Sequence, residues 1–491
     1  MPLTPAGPGV RPAAALALLV ASHFLLNLDS AIVEVTLPSI KQDLHISLAE
    51  LSWIANAYIL AFGGFLLLGG RLGDVFGRRS VFVTGLLVFG AASLAGGMAS
   101  DAAVLVAARA VQGLAAAVIS PTALSLLMTV FPDRTAEGKA RRNKALAVLG
   151  AVAATGGSAG YFTGGVLTDV FGWQSTFLVN VPLTVLAAAA APRLLPAAAP
   201  PASRRHFDVV SGALAGGGMT LMVYVLVGAQ RTGWLSARTL GPGALAAVLV
   251  LLFVLRQRTS PDPLLPLRIF RHRSLRGANA VAALINMAIG PVIFFLSLYT
   301  QELLGYSAFA AGLAIVPVIL TVTVSSTAAG WLLGRTSQRS VMTTGLLLFL
   351  AGLLWMCRIS GGAYWAELLG PECLVGLGGG LVFVTFTVSG TTGLDERDAG
   401  AASGVLTTAQ KIGASFGLAV LTTLAGSRTA AADSGQVLLA GYRTAILAAA
   451  VPVALALAAT ARWLPGTLPA PSESPVRRHP QDSPQVVGES A

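Results

Sequence analysis

Gly70-Arg71-Leu72-Gly73-Asp74-Val75-Phe76-Gly77-Arg78-Arg79 separates two long apolar runs and has the makings of a tight turn at a membrane surface. Gly77 permits the turn, and Asp74 can cap a helix end or pair with an arginine. The neighbouring runs, 52–70 and 80–99, each approach the roughly 20 apolar residues that a helix needs to cross a bilayer. Further runs of that size lie near 13–37, 102–131, 145–168, 175–192, 209–229, 240–255, 277–300, 308–333, 341–357, 367–390, 400–425 and 441–462. The expectation is therefore an all-α integral membrane protein of fourteen spans.

Composition agrees. Of 491 residues, 55% are apolar and 11% charged, too little charge to wet a soluble surface of this size. The net charge of +11 raises the question of nucleic acid. The basic residues instead fall in alternate loops. With the N-terminus inside, Arg71, Arg78, Arg79, Arg134, Lys139, Arg141, Arg142, Lys144, Arg204, Arg205, Arg256, Arg268 and Arg335 are among those facing the cytoplasm. The opposite loops hold Lys41, Arg231, Arg238, Arg358, Arg428 and Arg443. A skew of about four to one is what the positive-inside rule predicts. It implies a multi-pass protein with both termini cytoplasmic and a lipid bilayer, not nucleic acid, as its partner. Abundant Arg, Ala and Gly suit a high-GC bacterial genome and hence a bacterial cytoplasmic (inner) membrane. Cys357 and Cys373 lie in apolar segments without zinc spacing, so no metal site is assigned.

Two polar stretches divide the spans. The expected organisation is an N-terminal cytoplasmic segment (1–12), a six-helix bundle (13–195), a linker (196–208) and an inserted helix pair (209–257). A second linker (258–276), a second six-helix bundle (277–462) and a proline-rich disordered tail (463–491) follow.

The stretch from Gly70 to Arg79 resembles the signature loop between helices two and three of the major facilitator superfamily. A degenerate copy, Gly330-Trp331-Leu332-Leu333-Gly334-Arg335, fits that superfamily's internal repeat. Leu28-Asp29-Ser30-Ala31-Ile32-Val33-Glu34-Val35-Thr36-Leu37-Pro38 is similar to the helix-one signature of the fourteen-helix drug:proton antiporters, with Glu34 where that family usually has Asn. Arg109-Ala110-Val111-Gln112-Gly113 resembles the intramembrane arginine motif. Gly156 to Gly165 resembles the glycine-rich antiporter motif, with Tyr161 where the motif has proline, and Trp173 to Pro182 resembles the start of helix six. The resemblance implies a major facilitator fold of two six-helix bundles plus two inserted helices. It also implies proton-driven export of lipophilic, often cationic drugs or antibiotics, and a conformational-gating loop at Gly70, Asp74, Gly77, Arg78 and Arg79.

The charged residues within the spans can also be read directly. A charge at a helix centre costs about 2.5–3.5 kcal/mol on insertion scales, so Asp29, Glu34 and Arg109 should face protein or water. At 1.5 Å per residue, Asp29 lies roughly 13 Å from the helix end at Pro38 and Arg109 roughly 12 Å from the end at Asp101. The two depths match. On the helical wheel His23, Asn27, Ser30 and Glu34 fall within roughly 60° of one another, and Asp29 points about 100–140° away. Asp29, Glu34 and Arg109 are the expected proton-coupling residues, with the choice between the two acids open. His23, Asn27, Ser30, Gln112, Gln410, Lys411 and Glu372 are the expected cavity residues. Gly156, Gly160 and Gly164 form a smooth stripe suited to close helix packing.

The sequence has no phosphate-binding loop, zinc-protease motif or hydrolase elbow. The expectation is a secondary transporter, not an enzyme, with no cofactor and a proton gradient as its energy source. The expected partners are protons and a small lipophilic substrate; the intramembrane acids agree with a cationic one, and Arg109 and Lys411 leave anions and neutral compounds open. Proton-coupled uptake of a small metabolite and an integral-membrane enzyme or sensor are the alternatives.

Overall fold

The structure is a computed structural model that describes residues 11–132, 135–196, 208–233, 235–260, 263, 265, 267–392, 396–429, 435–464 and 466. The tail beyond 466 lies outside the described residues, as does most of the 196–208 linker. The first bundle comprises α1 (Pro12–Asp43), α2 (Leu48–Phe76), α3 (Arg78–Gly97), α4 (Ala102–Val130), α5 (Ala136–Phe171), α6 (Gln174–Leu178) and α7 (Asn180–Leu194). The inserted pair is α8 (Val209–Thr232) and α9 (Ala237–Thr259). The second bundle comprises α10 (Arg273–Leu298), α11 (Ala308–Ala314), α12 (Val316–Leu333), α13 (Gln338–Met356), α14 (Tyr364–Glu367), α15 (Leu369–Thr391), α16 (Glu396–Thr429) and α17 (Gly435–Trp463).

Each of the fourteen expected apolar runs falls, to within two residues, in one helix or in a pair of consecutive helices. Among the described residues, eleven helices are long and apolar enough to cross a membrane, and shorter apolar stretches occupy α2 and α8. The paired helices share a feature. Pro182, Pro317 and Pro371 sit in the first turn of α7, α12 and α15 and lack the N–H that would continue the preceding helix. Turn chemistry sets other boundaries. Ser47 and Glu50 form a reciprocal capping box at the start of α2. Gly77, at φ +89°, turns the chain between α2 and α3 in a conformation that L side chains rarely adopt. Arg78 then donates to Thr129 Oγ1 (3.0 Å), and Arg79 donates to the Pro192 and Leu195 carbonyls (3.2 Å each), tying the turn to α4 and to the end of α7. Gly70 lies against Pro121 of α4. The Asp74 side chain lies outside the described residues.

The two bundles meet at the end where α1 finishes. A continuous apolar core there joins Val35, Leu37, Ile40, Leu51 and Ile54 to Ile285, Phe295 and Tyr442, whereas the other half of the first bundle has its own core around Leu19, Phe82, Phe89 and Leu127. Polar contacts reinforce the join. Lys41 Nζ lies 2.5 Å from Glu302 Oε1, and Gln301 donates to the Val35 carbonyl (3.0 Å). Asp169 accepts the backbone N–H groups of Ala308 and Phe309 at 3.1 Å each. Inserted helix α8 packs on both bundles, through α2 and α16, with Gly212 and Gly216 meeting Leu68 and Phe65.

The glycine stripe of α5 lies on α1. A Cβ on Gly156, Gly160 or Gly164 would meet the Phe24 carbonyl at 2.9 Å, the Leu28 carbonyl at 2.6 Å or Ile32 Cα at 3.0 Å. Backbone cannot swing aside as a side chain can. Gly157, one residue along, has nothing within 4 Å. Gly160→Val should therefore destabilise the protein by about 1–3 kcal/mol, measured as a lower thermal midpoint in detergent, while Gly157→Ala should not lower the midpoint.

At the start of α8, Asp208 accepts from Ser211 N (3.0 Å) and from Arg256 Nε (3.0 Å) on α9. Partial burial acts to raise its carboxyl, but the hydrogen bonds from Ser211 and the nearby Arg256 charge outweigh it and hold the group below its ordinary value. A depressed folded value means that the stabilisation is fully present above the ordinary pKa and fades only as pH falls through the lower one. The stability difference between the parent protein and Asp208→Ala should be constant from about pH 8 to 5 and shrink only below about pH 4.

Candidate functional site

An arginine in the middle of α4 must bring its own solvation. Arg109 is 2% exposed and Asp29 is 0% exposed. Arg109 Nη1 lies 2.7 Å from Asp29 Oδ2 and 3.0 Å from Gln112 Oε1, and Nε reaches the Ile54 carbonyl at 3.4 Å. Asp29 Oδ1 accepts from Asn180 Nδ2 (2.7 Å) and from Gln112 Nε2 (3.3 Å). Gln112 Nε2 also donates to Ser93 Oγ at 2.8 Å, and the guanidinium carbon sits 4.2 Å from the centre of the Tyr58 ring. One ion pair thus ties together α1, α2, α3, α4 and α7. Its charges are compensated from several sides, the condition under which a buried pair is tolerated.

The other acid of α1 has different surroundings. Glu34 is half-buried and accepts a short hydrogen bond from Tyr161 on α5. Lys411, on α16 of the second bundle, lies near enough to interact with it electrostatically, as does Arg109 more weakly. The Lys411 stem passes over Gly63 of α2, where a Cβ would be 2.6 Å from Lys411 Cβ, and its ammonium lies 5.0 Å from the centre of the Phe62 ring. Glu34, Tyr161, Phe62 and Lys411 therefore bring both bundles to one place. Glu34 and Lys411 are half-buried there, unlike the fully buried Asp29 and Arg109. Ser415 donates to Asn56 Oδ1 (2.6 Å) across the same pair of helices, α16 and α2.

The remaining predicted residues divide between these settings. His23, Asn27 and Ser30 are half-buried on the Glu34 face of α1. His23 Nε2 lies 3.5 Å from Ser120 Oγ, and its Nδ1 has no hydrogen-bond partner among the described residues. Asn27 donates to the His23 carbonyl at 2.8 Å. Gln410 is half-buried beside Lys411. Gln112, expected on the cavity wall, is 0% exposed and belongs to the Asp29 network. Glu372, expected there too, is 0% exposed within the second bundle. Among the described residues no group of His, Cys, Asp and Glu side chains suits a metal ion.

Sequence reading missed several participants. Asn180 carried a signal, as an amide in an apolar run two residues before a proline. Ser93 and Tyr58 carried none. Tyr161 was visible only as a departure from the glycine-rich pattern, and its partner Glu34 is the other departure noted on α1. The structure joins the two by a hydrogen bond.

Known proteins place the chain. The sequence profile described as the Major Facilitator Superfamily matches residues 19–418. A cephamycin export protein of Amycolatopsis lactamdurans is 40% identical over 420 residues, 84% of this chain and 85% of that protein. A puromycin resistance protein of Streptomyces alboniger is 36% identical over 435 residues, 87% of this chain and 85% of its own. A solved bacterial homologue of the human lysosomal transporter Spinster superposes with a TM-score of 0.65 at 13% identity, over 91% of this chain and 96% of that one, a likeness of fold.

The two acids of α1 should respond differently to neutralisation. Asp29→Asn leaves Arg109 buried without an anion and should cost about 3–5 kcal/mol, seen as a large fall in the thermal midpoint of the purified protein. Glu34→Gln, at a partly exposed site, should shift the midpoint far less. Equal shifts would contradict the assignment of the ion pair as the structural one.

Proposed function

The chain belongs to the Major Facilitator Superfamily and is a multi-pass membrane transporter, not an enzyme, and on that premise we propose that it exports lipophilic drugs or antibiotics from the bacterial cell in exchange for protons. The observation that carries the reading is Glu34, a half-buried ionisable side chain of the first bundle that lies within electrostatic reach of Lys411 of the second. The printed names of the relatives, cephamycin export and puromycin resistance, support small antibiotics as the substrate class. The charge skew of the loops supports both termini in the cytoplasm and the Lys41 end outside.

The mechanism is alternating access with exchange at the cleft. Glu34 accepts either a proton or the positive end of a substrate. Each satisfies the carboxylate, so the binding of one opposes the other, which is the thermodynamic requirement for exchange. The aromatic ring of Phe62 and the apolar walls suit a lipophilic body. Lys411 answers Glu34 when neither ligand is present and so limits the cost of an empty site. Asp29 and Arg109 hold the first bundle rigid while this happens. The glycine stripe between α1 and α5, with the arginine-tied turn around Gly77, allows close packing of helices that move as one body.

Expression in a drug-hypersensitive bacterium tests this. The parent protein should lower accumulation of at least one lipophilic compound, and collapsing the proton gradient should remove the effect. Glu34→Gln should return accumulation to the vector level at unchanged membrane abundance. Export that persists in Glu34→Gln with its gradient dependence intact would reject Glu34 as the exchanging acid. A parent protein that lowers nothing in a broad panel would reject export.

A further inference from the structure

Glu372 is a second buried acid that the cleft does not use. It lies in the first turn of α15, just past the break that Pro371 imposes, and it is fully buried. Its Oε2 is 2.7 Å from the Tyr364 hydroxyl, while its Oε1 has no hydrogen-bond partner among the described residues. Among the described residues, the titratable groups that interact with this pair are Tyr306 from the loop ahead of α11 and Cys373 from α15 itself, and neither is a cation. Helices α11 and α12 contain no ionisable residue, and α13 has only Arg339, at its opposite end.

Proton counting then constrains the site. The Tyr364 hydroxyl is also 2.7 Å from the Ala314 carbonyl, at the break between α11 and α12. A phenol has one proton to donate, a carbonyl has none, and an ionised carboxylate has none. With Glu372 ionised, Tyr364 can satisfy Glu372 or Ala314, and the other contact sets two lone pairs against each other at 2.7 Å. With Glu372 protonated, both contacts are hydrogen bonds: Glu372 donates to Tyr364, and Tyr364 donates to Ala314. The uncharged acid also avoids burying an ion without a partner, which costs several kcal/mol.

We propose that Glu372 is a proton-binding site in the second bundle, separate from Glu34 and occupied when the bundles are closed at the Lys41 end. The bound proton completes a chain from Glu372 through Tyr364 to the last carbonyl of α11. The first backbone N–H groups of α11 are held by Asp169 of the first bundle. Loss of the proton leaves a buried ion whose one protein donor, Tyr364, must abandon the Ala314 carbonyl to serve it, so release favours an opened α14–α15 corner that admits water, and the seat of α11 loosens with it. The site thereby ties a proton in the second bundle to closure between the bundles. This coupling rests on the transport reading, but occupancy of the site does not.

Infrared spectroscopy of purified protein without substrate at pH 7 tests occupancy directly. The parent spectrum minus that of Glu372→Gln should show one protonated-carboxyl stretch. In Tyr364→Phe, where the acid loses its acceptor, that band should move to higher wavenumber. Because Gln can still donate to Tyr364, Glu372→Gln should fold; if it does not, the Tyr364→Phe shift decides alone. A difference spectrum without the band, or a band unmoved in Tyr364→Phe, overturns the proposal. Failure of the drug-accumulation assay leaves this readout untouched, so the two readings fall separately.

Discussion

An arginine sealed inside a membrane helix bundle forces the arrangement of everything around it. Arg109 is too deep to reach an interface, and its charge is met by Asp29 of α1, by Gln112 one turn along its own helix and by the face of Tyr58. Asp29 in turn draws Asn180 from α7, and Gln112 draws Ser93 from α3. Ion pairs of this kind gain little net free energy over a packed apolar core. What they contribute is geometry, because a half-satisfied network is costly and only one relative placement of five helices satisfies this one. That placement fixes the rotation of α1 and therefore the direction in which Glu34 points.

The division of labour on α1 follows from its helical period. Asp29 and Glu34 are five residues apart, about 140° around the helix. One faces the interior of its bundle and the other faces the second bundle. Placing both acids on one face would have made them compete for Arg109 and left the cleft with an acid already neutralised. Tyr161 reinforces the separation by holding Glu34 toward α5, and Gly160 lets α5 come close enough to do so.

Much of this was legible in the sequence. Fourteen apolar runs map onto the helices, and the matching depths of Asp29 and Arg109 anticipated their contact. The stripe of small residues lies where α5 meets α1. Other features were not legible because they depend on which helices become neighbours. Nothing local marks Ser93 or Tyr58 as partners of a charge network. Gln112 looks like a cavity residue until the rotation of α4 is known. Glu372, one turn into its span beside a proline, reads as a cleft acid. It is sealed because the chain breaks at Leu368 and folds Tyr364 over it. The split of three spans into paired helices is likewise a tertiary choice, since Pro38, Pro121 and Pro452 lie within helices that continue through them.

The central claim is that one acid of α1 is sealed in a structural lock while the other faces a wet cleft. Labelling the native protein with a hydrophobic carbodiimide, followed by peptide mapping, measures this without any substitution. The account predicts an adduct on Glu34, reduced by a bound substrate, and none on Asp29. Modification of Asp29 with Glu34 untouched would place the working carboxylate on the other face of the helix and contradict the account.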